Sequence, residues 1–131
     1  MLKTFLESSA IEIEDLGTNN ADSVDYPDYA AQVADRISQG QADAGLLVCG
    51  TGIGMCITAN KFKGIRAAVL TNDFEAKMAK AHNNANVICL GGRVLDNKTA
   101  QRLVQIWLDT EYEGGRHDRR LAKIAELERK W

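Results

Sequence analysis

The sequence predicts an α/β fold in which a Rossmann-like, doubly wound parallel sheet lies between two layers of helices. Segments typical of strands alternate with segments typical of helices along the chain, and such alternation requires helical crossovers and therefore parallel strands. Residues 44–49 are a short, continuously apolar run, which is typical of a strand buried on both faces. The length of 131 residues predicts one domain, spanning residues 1–131.

The first half of the chain begins with a helix and continues with a strand and a second helix. Residues 2–9 have the pattern of the end of an amphipathic helix, and residues 11–17 open with alternating Ile and Glu, which predicts a strand that turns at Gly17. Apolar residues spaced three and four apart in residues 28–40 predict the next helix, which Gly40 ends.

The second half continues the alternation and ends in a basic segment. The predicted elements are a helix at residues 52–64, a strand at 65–70, a helix at 72–84, a strand at 85–92 and a helix at 96–113. Residues 112–131 predict a C-terminal basic helix. With Trp107 and Trp131 near its ends, we expect this helix to act as an arm that reaches a neighbouring subunit.

Composition excludes several classes of partner. Hydrophobic residues make up 45% and charged residues 26% of the chain, as in folded globular domains, and the formal net charge is −2. This charge is too small to indicate nucleic-acid binding, and no apolar run reaches the roughly 20 residues that span a bilayer. The three cysteines lack the spacing of a disulfide framework, which indicates reduced thiols and a cytoplasmic location.

A glycine-rich loop joins the predicted strand at residues 44–49 to the helix that follows. Gly50, Gly52 and Gly54 stand at alternate positions, so backbone N–H groups are left uncovered near a helix N-terminus. Such groups bind an anion or a developing oxyanion. The loop has neither the Lys-Ser/Thr of a phosphate-binding Walker loop nor the spacing of a dinucleotide site. A tight structural turn is the alternative interpretation.

A thiol, Cys49, stands at the end of that strand, directly before the loop. Ligands of parallel sheets bind beyond the carboxyl ends of the strands, and a thiolate held there against N–H groups can act as a nucleophile or a general base. A buried, inert cysteine is the alternative, and we expect this for Cys56, in a helix pattern, and Cys89, inside a strand.

Further polar residues follow or precede predicted strands. His82 and Asn83 come just before the strand at residues 85–92, and Arg93 comes just after it. Arg116 and Arg120 are four residues apart, on one helix face, where two guanidinium groups suit a shared phosphate. A structural histidine and a solvated basic face are the alternatives.

Several short motifs, in this order and spacing, resemble one enzyme family. They are "DLGT", "SVDYPDYA", "CGTGIGMCITANK", "GIRAA", "AHNNANV", "LGGRV" and "TEYEGGRHDRRLAKI". Together they resemble the type-B ribose-5-phosphate isomerases, a family of sugar-phosphate isomerases that also contains the galactose-6-phosphate isomerase subunits. The resemblance covers essentially the whole chain.

The resemblance implies an aldose–ketose isomerase that interconverts ribose 5-phosphate and ribulose 5-phosphate through an enediol, without a metal ion or other cofactor. Two alternatives remain open from the sequence. One is a galactose-6-phosphate isomerase-type subunit acting on a six-carbon phosphate, and the other is a non-catalytic partner subunit that binds sugar phosphates. The family also implies a homodimer or a dimer of dimers, with sites completed across the interface.

The resemblance further implies roles for individual residues. Cys49 matches the general base that moves a proton between C1 and C2, and the Met55 of this chain stands near where other relatives carry a glutamate base. Thr51 and His82 match residues that open the sugar ring, with His82 as proton donor. The residues matched to substrate binding are Gly50, Gly52, Ile53 and Gly54 for the enediolate oxygen, Asn83 for a hydroxyl, and Arg93, Arg116 and Arg120 for the phosphate.

The start of the chain departs from the family pattern. Family members usually begin with a strand followed by an Asp-His pair in a turn, and this chain has no match to either. We therefore expect a sheet that lacks the usual first strand, in a sequence that begins late.

Overall fold

Between residues 26 and 109 the protein alternates helices and strands, as predicted. The structure, a computed structural model, describes residues 2–9, 11–17 and 25–130. The elements in the described residues are α1 (Leu2–Glu7), α2 (Tyr26–Ser38), β1 (Gly45–Cys49), α3 (Ile53–Ala59), β2 (Ala67–Val69), α4 (Asp73–Ala81), β3 (Val87–Gly91), α5 (Asn97–Asp109) and α6 (Arg116–Glu128).

The three strands form one parallel sheet in the order β1-β3-β2. Gly45 of β1 pairs with Val87 of β3, and Ala67 of β2 pairs with the same residue from the other side. The last strand in sequence is therefore the central one, and all of its residues are buried. This arrangement confirms the predicted α/β fold with a parallel sheet.

The central strand β3 places its side chains alternately in two cores. Val87 and Cys89 pack with residues of α2 and α3 on one face of the sheet. Ile88 and Leu90 pack with residues of α4 and α5 on the other face. Because a strand side chain reverses direction at every residue, one short strand anchors both helical layers. The predicted three-layer arrangement is thereby confirmed.

Helix α3 ends at Ala59, five residues before the predicted end. Asn60 explains the early end, since its side-chain amide donates to the Ala67 carbonyl (3.0 Å) and accepts from the Ala67 N–H (2.8 Å). This pair of hydrogen bonds ties the end of the helix to the start of β2. The chain then turns through Gly64, which has a φ of +79°.

The predicted strand at residues 11–17 is wrong, because these residues belong to no sheet. They line a cavity of about 730 Å³ together with residues of β1, on the side of β1 that has no neighbouring strand in the described residues. An isolated segment with alternating side chains cannot form a strand without a partner for its backbone groups. An ion pair between Glu14 and Arg36 (2.7 Å) links the segment to α2.

Amide hydrogen exchange should reveal this free edge of β1. The N–H of Gly45 donates to Asn86, and the carbonyl of Cys49 accepts from Gly92, so the alternate residues Leu46 and Val48 turn their backbone groups away from β3. We expect the amides of Leu46 and Val48 to exchange much faster than that of Leu47, as measured by NMR in D2O. Equal protection at all three would show that another strand covers this edge.

The C-terminal segment differs from its prediction in two respects. Helix α6 begins at Arg116, because Gly114 and Gly115 have φ of +68° and +58° and cannot continue a right-handed helix. Trp107 lies in α5, not on the C-terminal helix. It is 5% exposed and its indole N–H donates to the Ala85 carbonyl (3.0 Å), so Trp107 is a core residue. Trp131 lies outside the described residues.

None of the described helices has the length and apolar character that crossing a bilayer requires.

Candidate active site

Cys49 is the last residue of β1, and its thiol lies against the glycine loop. The backbone N–H of Gly52 donates to Sγ of Cys49 over 3.1 Å. The side chain is partly buried, and the sulfur is a free thiol. A sulfur anion at this position would already have one main-chain donor, which is the arrangement that a thiol base requires.

Arg93 joins Cys49 at the carboxyl edge of the sheet. The N–H of Arg93 donates to the carbonyl of Gly50 (3.0 Å), and the N–H of Gly92 donates to the carbonyl of Cys49 (2.7 Å). These bonds hold the ends of β1 and β3 together, so Arg93 lies beside the glycine loop. Thr51 lies in the same loop, where its hydroxyl accepts from the N–H of Ile53 (3.2 Å).

Two of the loop glycines have packing reasons of their own. Gly52 has a φ of +83°, and an added Cβ would lie 3.1 Å from the carbonyl carbon of Leu90. An added Cβ at Gly54 would lie 2.5 Å from the ring of Tyr26, at the start of α2. At Gly50, by contrast, a Cβ would make only an ordinary contact, 3.6 Å from Arg93. Packing therefore accounts for glycine at positions 52 and 54, but not at position 50.

The sequence did not predict a role for Gly91, the glycine that allows the loop to pack against the end of β3. A Cβ there would lie 2.9 Å from the backbone of Thr51, so only glycine lets the loop cross the end of β3 this closely. The signal in the sequence was the Gly91-Gly92 pair at the end of an apolar run. By itself, that pair predicts only the end of the strand at residues 85–92.

A second group of predicted residues lies at the amino edge of the sheet. His82 is the C-cap of α4, and Asn83 follows it on the way to β3. The ring of His82 stacks on His117, in the first turn of α6, with centroids 4.2 Å apart. Arg116 and Arg120 lie in the same part of α6 and are exposed.

These two groups are separated by the length of β3. The strand has five residues, which at about 3.3 Å per residue extend over roughly 13 Å. Within one chain, the structure brings Cys49, Thr51 and Arg93 together. It does not bring His82, Asn83, Arg116 and Arg120 to them.

The other two cysteines lie on the α3 side of the sheet. A hydrogen bond to Cys56, together with burial, raises the pKa of the Cys89 thiol above its ordinary value. That same hydrogen bond from Cys89 lowers the pKa of Cys56 to about 7. Burial opposes this lowering of the Cys56 pKa, and a backbone hydrogen bond from Val69 adds to it. The Asn60 amide donates to the Cys56 sulfur (3.6 Å), which lies 3.4 Å from the Ala67 carbonyl. The expectation that both thiols are inert stays a prediction, and the lowered pKa of Cys56 counts against it at that position.

Alkylation should detect the thiolate of Cys56. Because the thiolate reacts and the thiol does not, the rate of its modification by iodoacetamide should rise about tenfold between pH 6 and pH 8, with a midpoint near the pKa of about 7. Mass spectrometry of the labelled peptide measures this rate. In Cys89→Ala, which removes the hydrogen bond, the midpoint should move to higher pH. An unchanged midpoint would contradict the proposed cause.

Residues 1–124 match the family described as Ribose/Galactose Isomerase. The chain is 42% identical over 125 residues to the ribose-5-phosphate isomerase B of Escherichia coli (strain K12), a match that covers 95% of this chain and 84% of that one.

Solved structures give the same result. The ribose-5-phosphate isomerase B of Clostridium thermocellum has a TM-score of 0.96 and 46% identity, covering 98% of this chain and 87% of that one. The ribose-5-phosphate isomerase B of Mycoplasma genitalium, solved with bound ribulose-5-phosphate, has a TM-score of 0.94 and 40% identity, covering 98% and 86%. Sequence and structure thus agree that the chain belongs to the ribose/galactose isomerase family.

Proposed function

We propose that this chain interconverts ribose 5-phosphate and ribulose 5-phosphate, with Cys49 as the general base. The contact that carries the proposal is the hydrogen bond from the Gly52 N–H to the Cys49 sulfur (3.1 Å) at the carboxyl edge of the sheet. A five-carbon substrate is favoured over a six-carbon one, because the relatives named above are ribose-5-phosphate isomerases B, and one was solved with ribulose-5-phosphate.

The chemistry divides between the base and the loop. The Cys49 thiolate takes a proton from one of the carbons C1 and C2 and returns it to the other, which passes through an enediol. Negative charge grows on the carbonyl oxygen during this transfer, and the backbone N–H groups of residues 50–54 stabilise it. Gly50, where packing does not demand glycine, allows the oxygen to approach them.

The remaining groups come from a second copy of the chain. Four of the groups lie at the opposite edge of the sheet from Cys49. His82 gives a proton to the ring oxygen of the sugar, and Asn83 binds a hydroxyl. Arg116 and Arg120 bind the phosphate. A homodimer that places the amino edge of one copy against the carboxyl edge of the other completes the site, with Arg93 as a further phosphate ligand. The exposed apolar residues of α6, Ile124 (51%) and Leu127 (57%), support such an interface.

The same proposal includes a reducing, cytoplasmic environment. All three cysteines are free thiols, and the base needs its thiol unoxidised.

A direct assay tests the function. Purified protein should convert ribose 5-phosphate into ribulose 5-phosphate without added metal, and kcat/KM for ribose 5-phosphate should exceed that for galactose 6-phosphate. Sedimentation velocity at micromolar concentration should show a dimer or a dimer of dimers. A monomer that isomerises ribose 5-phosphate would contradict the shared site, and absence of turnover would contradict the function itself.

A further inference from the structure

The two histidines of the chain lie against each other at the amino edge of the sheet. The rings of His82 and His117 are stacked, with centroids 4.2 Å apart and planes 18° from parallel. His82 caps the end of α4 and His117 lies in α6, so the pair joins two separate elements. His117 is 4% exposed, whereas one third of the His82 side chain (33%) is open to solvent. The His117 ring is thus buried and held in place, whereas the His82 ring is accessible to a substrate.

One carboxylate faces both rings. Oε1 of Glu113 lies 3.6 Å from Nε2 of His82 and 3.5 Å from Nε2 of His117. The backbone N–H of Glu113 donates to the Ala81 carbonyl (2.9 Å), which fixes the residue beside the end of α4. Nε2 of His117 is buried and has no hydrogen-bond partner among the described residues. The Glu113 carboxylate, 3.5 Å away, is the polar group that faces this nitrogen.

A metal ion shared by the three side chains fits this arrangement poorly. Their ligand atoms lie within 4.8 Å of one another. The two rings, however, are nearly parallel, so an ion at the usual 2.0–2.1 Å from one nitrogen, in the plane of its ring, would lie far out of the plane of the other ring. The Glu113 carboxylate, at 3.5–3.6 Å, lies at a similar distance from both nitrogens.

We propose that Glu113 and His117 are positioning residues for His82, and this inference rests on the proposed role of His82 in opening the sugar ring. His117 supplies the flat surface that holds the imidazole of His82, and Glu113 fixes the direction of its Nε2. Nδ1 is then the nitrogen that gives a proton to the ring oxygen. The neutral imidazole that remains keeps its other proton on Nε2, facing Glu113.

Two reactions separate this role from a role in the chemistry of Cys49. Isomerisation of ribose 5-phosphate requires the sugar ring to open. Exchange of deuterium from D2O into C1 of ribulose 5-phosphate does not, because a ketose phosphorylated on O5 has no hydroxyl with which to close a five-membered ring. A positioning residue for His82 should therefore affect isomerisation and spare exchange, whereas loss of Cys49 should stop both.

The expected results follow from the two groups that position His82, the Glu113 carboxylate and the flat ring of His117. Glu113→Gln and His117→Ala should lower kcat/KM for ribose 5-phosphate about tenfold or more, while deuterium exchange stays within about threefold of wild type. His117→Phe, which keeps a flat ring, should keep both rates within about threefold. Glu111→Gln, which makes the same change of charge two residues away on an exposed side chain, is the matched control and should alter neither rate.

NMR of the ligand-free protein gives a readout that needs no substrate. The ring protons of His82 should be shifted by the neighbouring ring in the wild type and in His117→Phe, and lose that shift in His117→Ala. Wild-type isomerisation rates in both Glu113→Gln and His117→Ala would overturn the inference. An equal loss of isomerisation and exchange in these variants would also overturn it, and so would loss of isomerisation in a folded His117→Phe. A wild-type protein without either reaction would overturn the proposed function, and an unshifted His82 ring would overturn the stacking itself.

Discussion

Replacing Cys49 by alanine is expected to lower kcat for ribose 5-phosphate by about 10²- to 10⁴-fold, the range that one general base contributes to proton transfer. The only predicted base beside the glycine loop is this thiol, which accepts a hydrogen bond from the Gly52 N–H. Cys49→Ser should fail to a similar degree, because an alcohol ionises far less readily than a thiol. A coupled spectrophotometric assay of ribulose 5-phosphate formation measures both variants.

The other cysteines provide the controls. Cys89 is buried on β3, and Cys56 faces β2 from α3, so neither thiol lies at the glycine loop. Cys89→Ser should therefore retain activity, provided that circular dichroism shows it to be folded. Equal activity in wild type and Cys49→Ala would remove the proposed base. Loss of activity in Cys56→Ala instead would indicate that the thiol with the lowered pKa is the functional one.

The sheet was predictable where strands are buried on both faces. Residues 44–49 are continuously apolar and residues 85–92 are apolar except for Asn86, and both contain strands close to the predicted bounds. Residues 11–17 open with alternating Ile and Glu but form no strand, because periodicity describes which faces a segment offers and not whether a neighbouring strand exists to pair with it. The early end of α3 depends on hydrogen bonds of Asn60 with Ala67, seven residues away. A local sequence pattern does not predict such bonds.

Candidate site residues were predictable from their places along the chain, but their arrangement in the fold was not. Strand ends identified Cys49 and Arg93, and the structure puts them at one edge of the sheet. His82 was selected because it also adjoins a strand, yet it precedes β3 whereas Arg93 follows it, and in a parallel sheet this places the two residues at opposite edges. Glu113 and His117 were missed, because their contacts with His82 join α4, the loop before α6 and α6 itself.

The largest gain of activity is expected from mixing two inactive variants. In a two-fold dimer whose sites take Cys49 from one copy and His82 from the other, a hybrid of Cys49→Ala and His82→Ala has one site with both changes and one site with neither. Random exchange of subunits makes about half of the dimers hybrids, so the mixture should recover about one quarter of wild-type activity. Each variant alone should remain nearly inactive.

The measurement is the isomerase rate after the two variants are unfolded together in denaturant and refolded, compared with the two refolded separately. A mixture of Cys49→Ala with Cys49→Ser is the matched control, because no hybrid of these two contains an intact site, and it should stay inactive. Recovery in the first mixture alone would establish that the two edges of the sheet meet across an interface. Its absence, with subunit exchange verified by mass spectrometry, would mean that His82 serves the Cys49 of its own chain or no Cys49 at all.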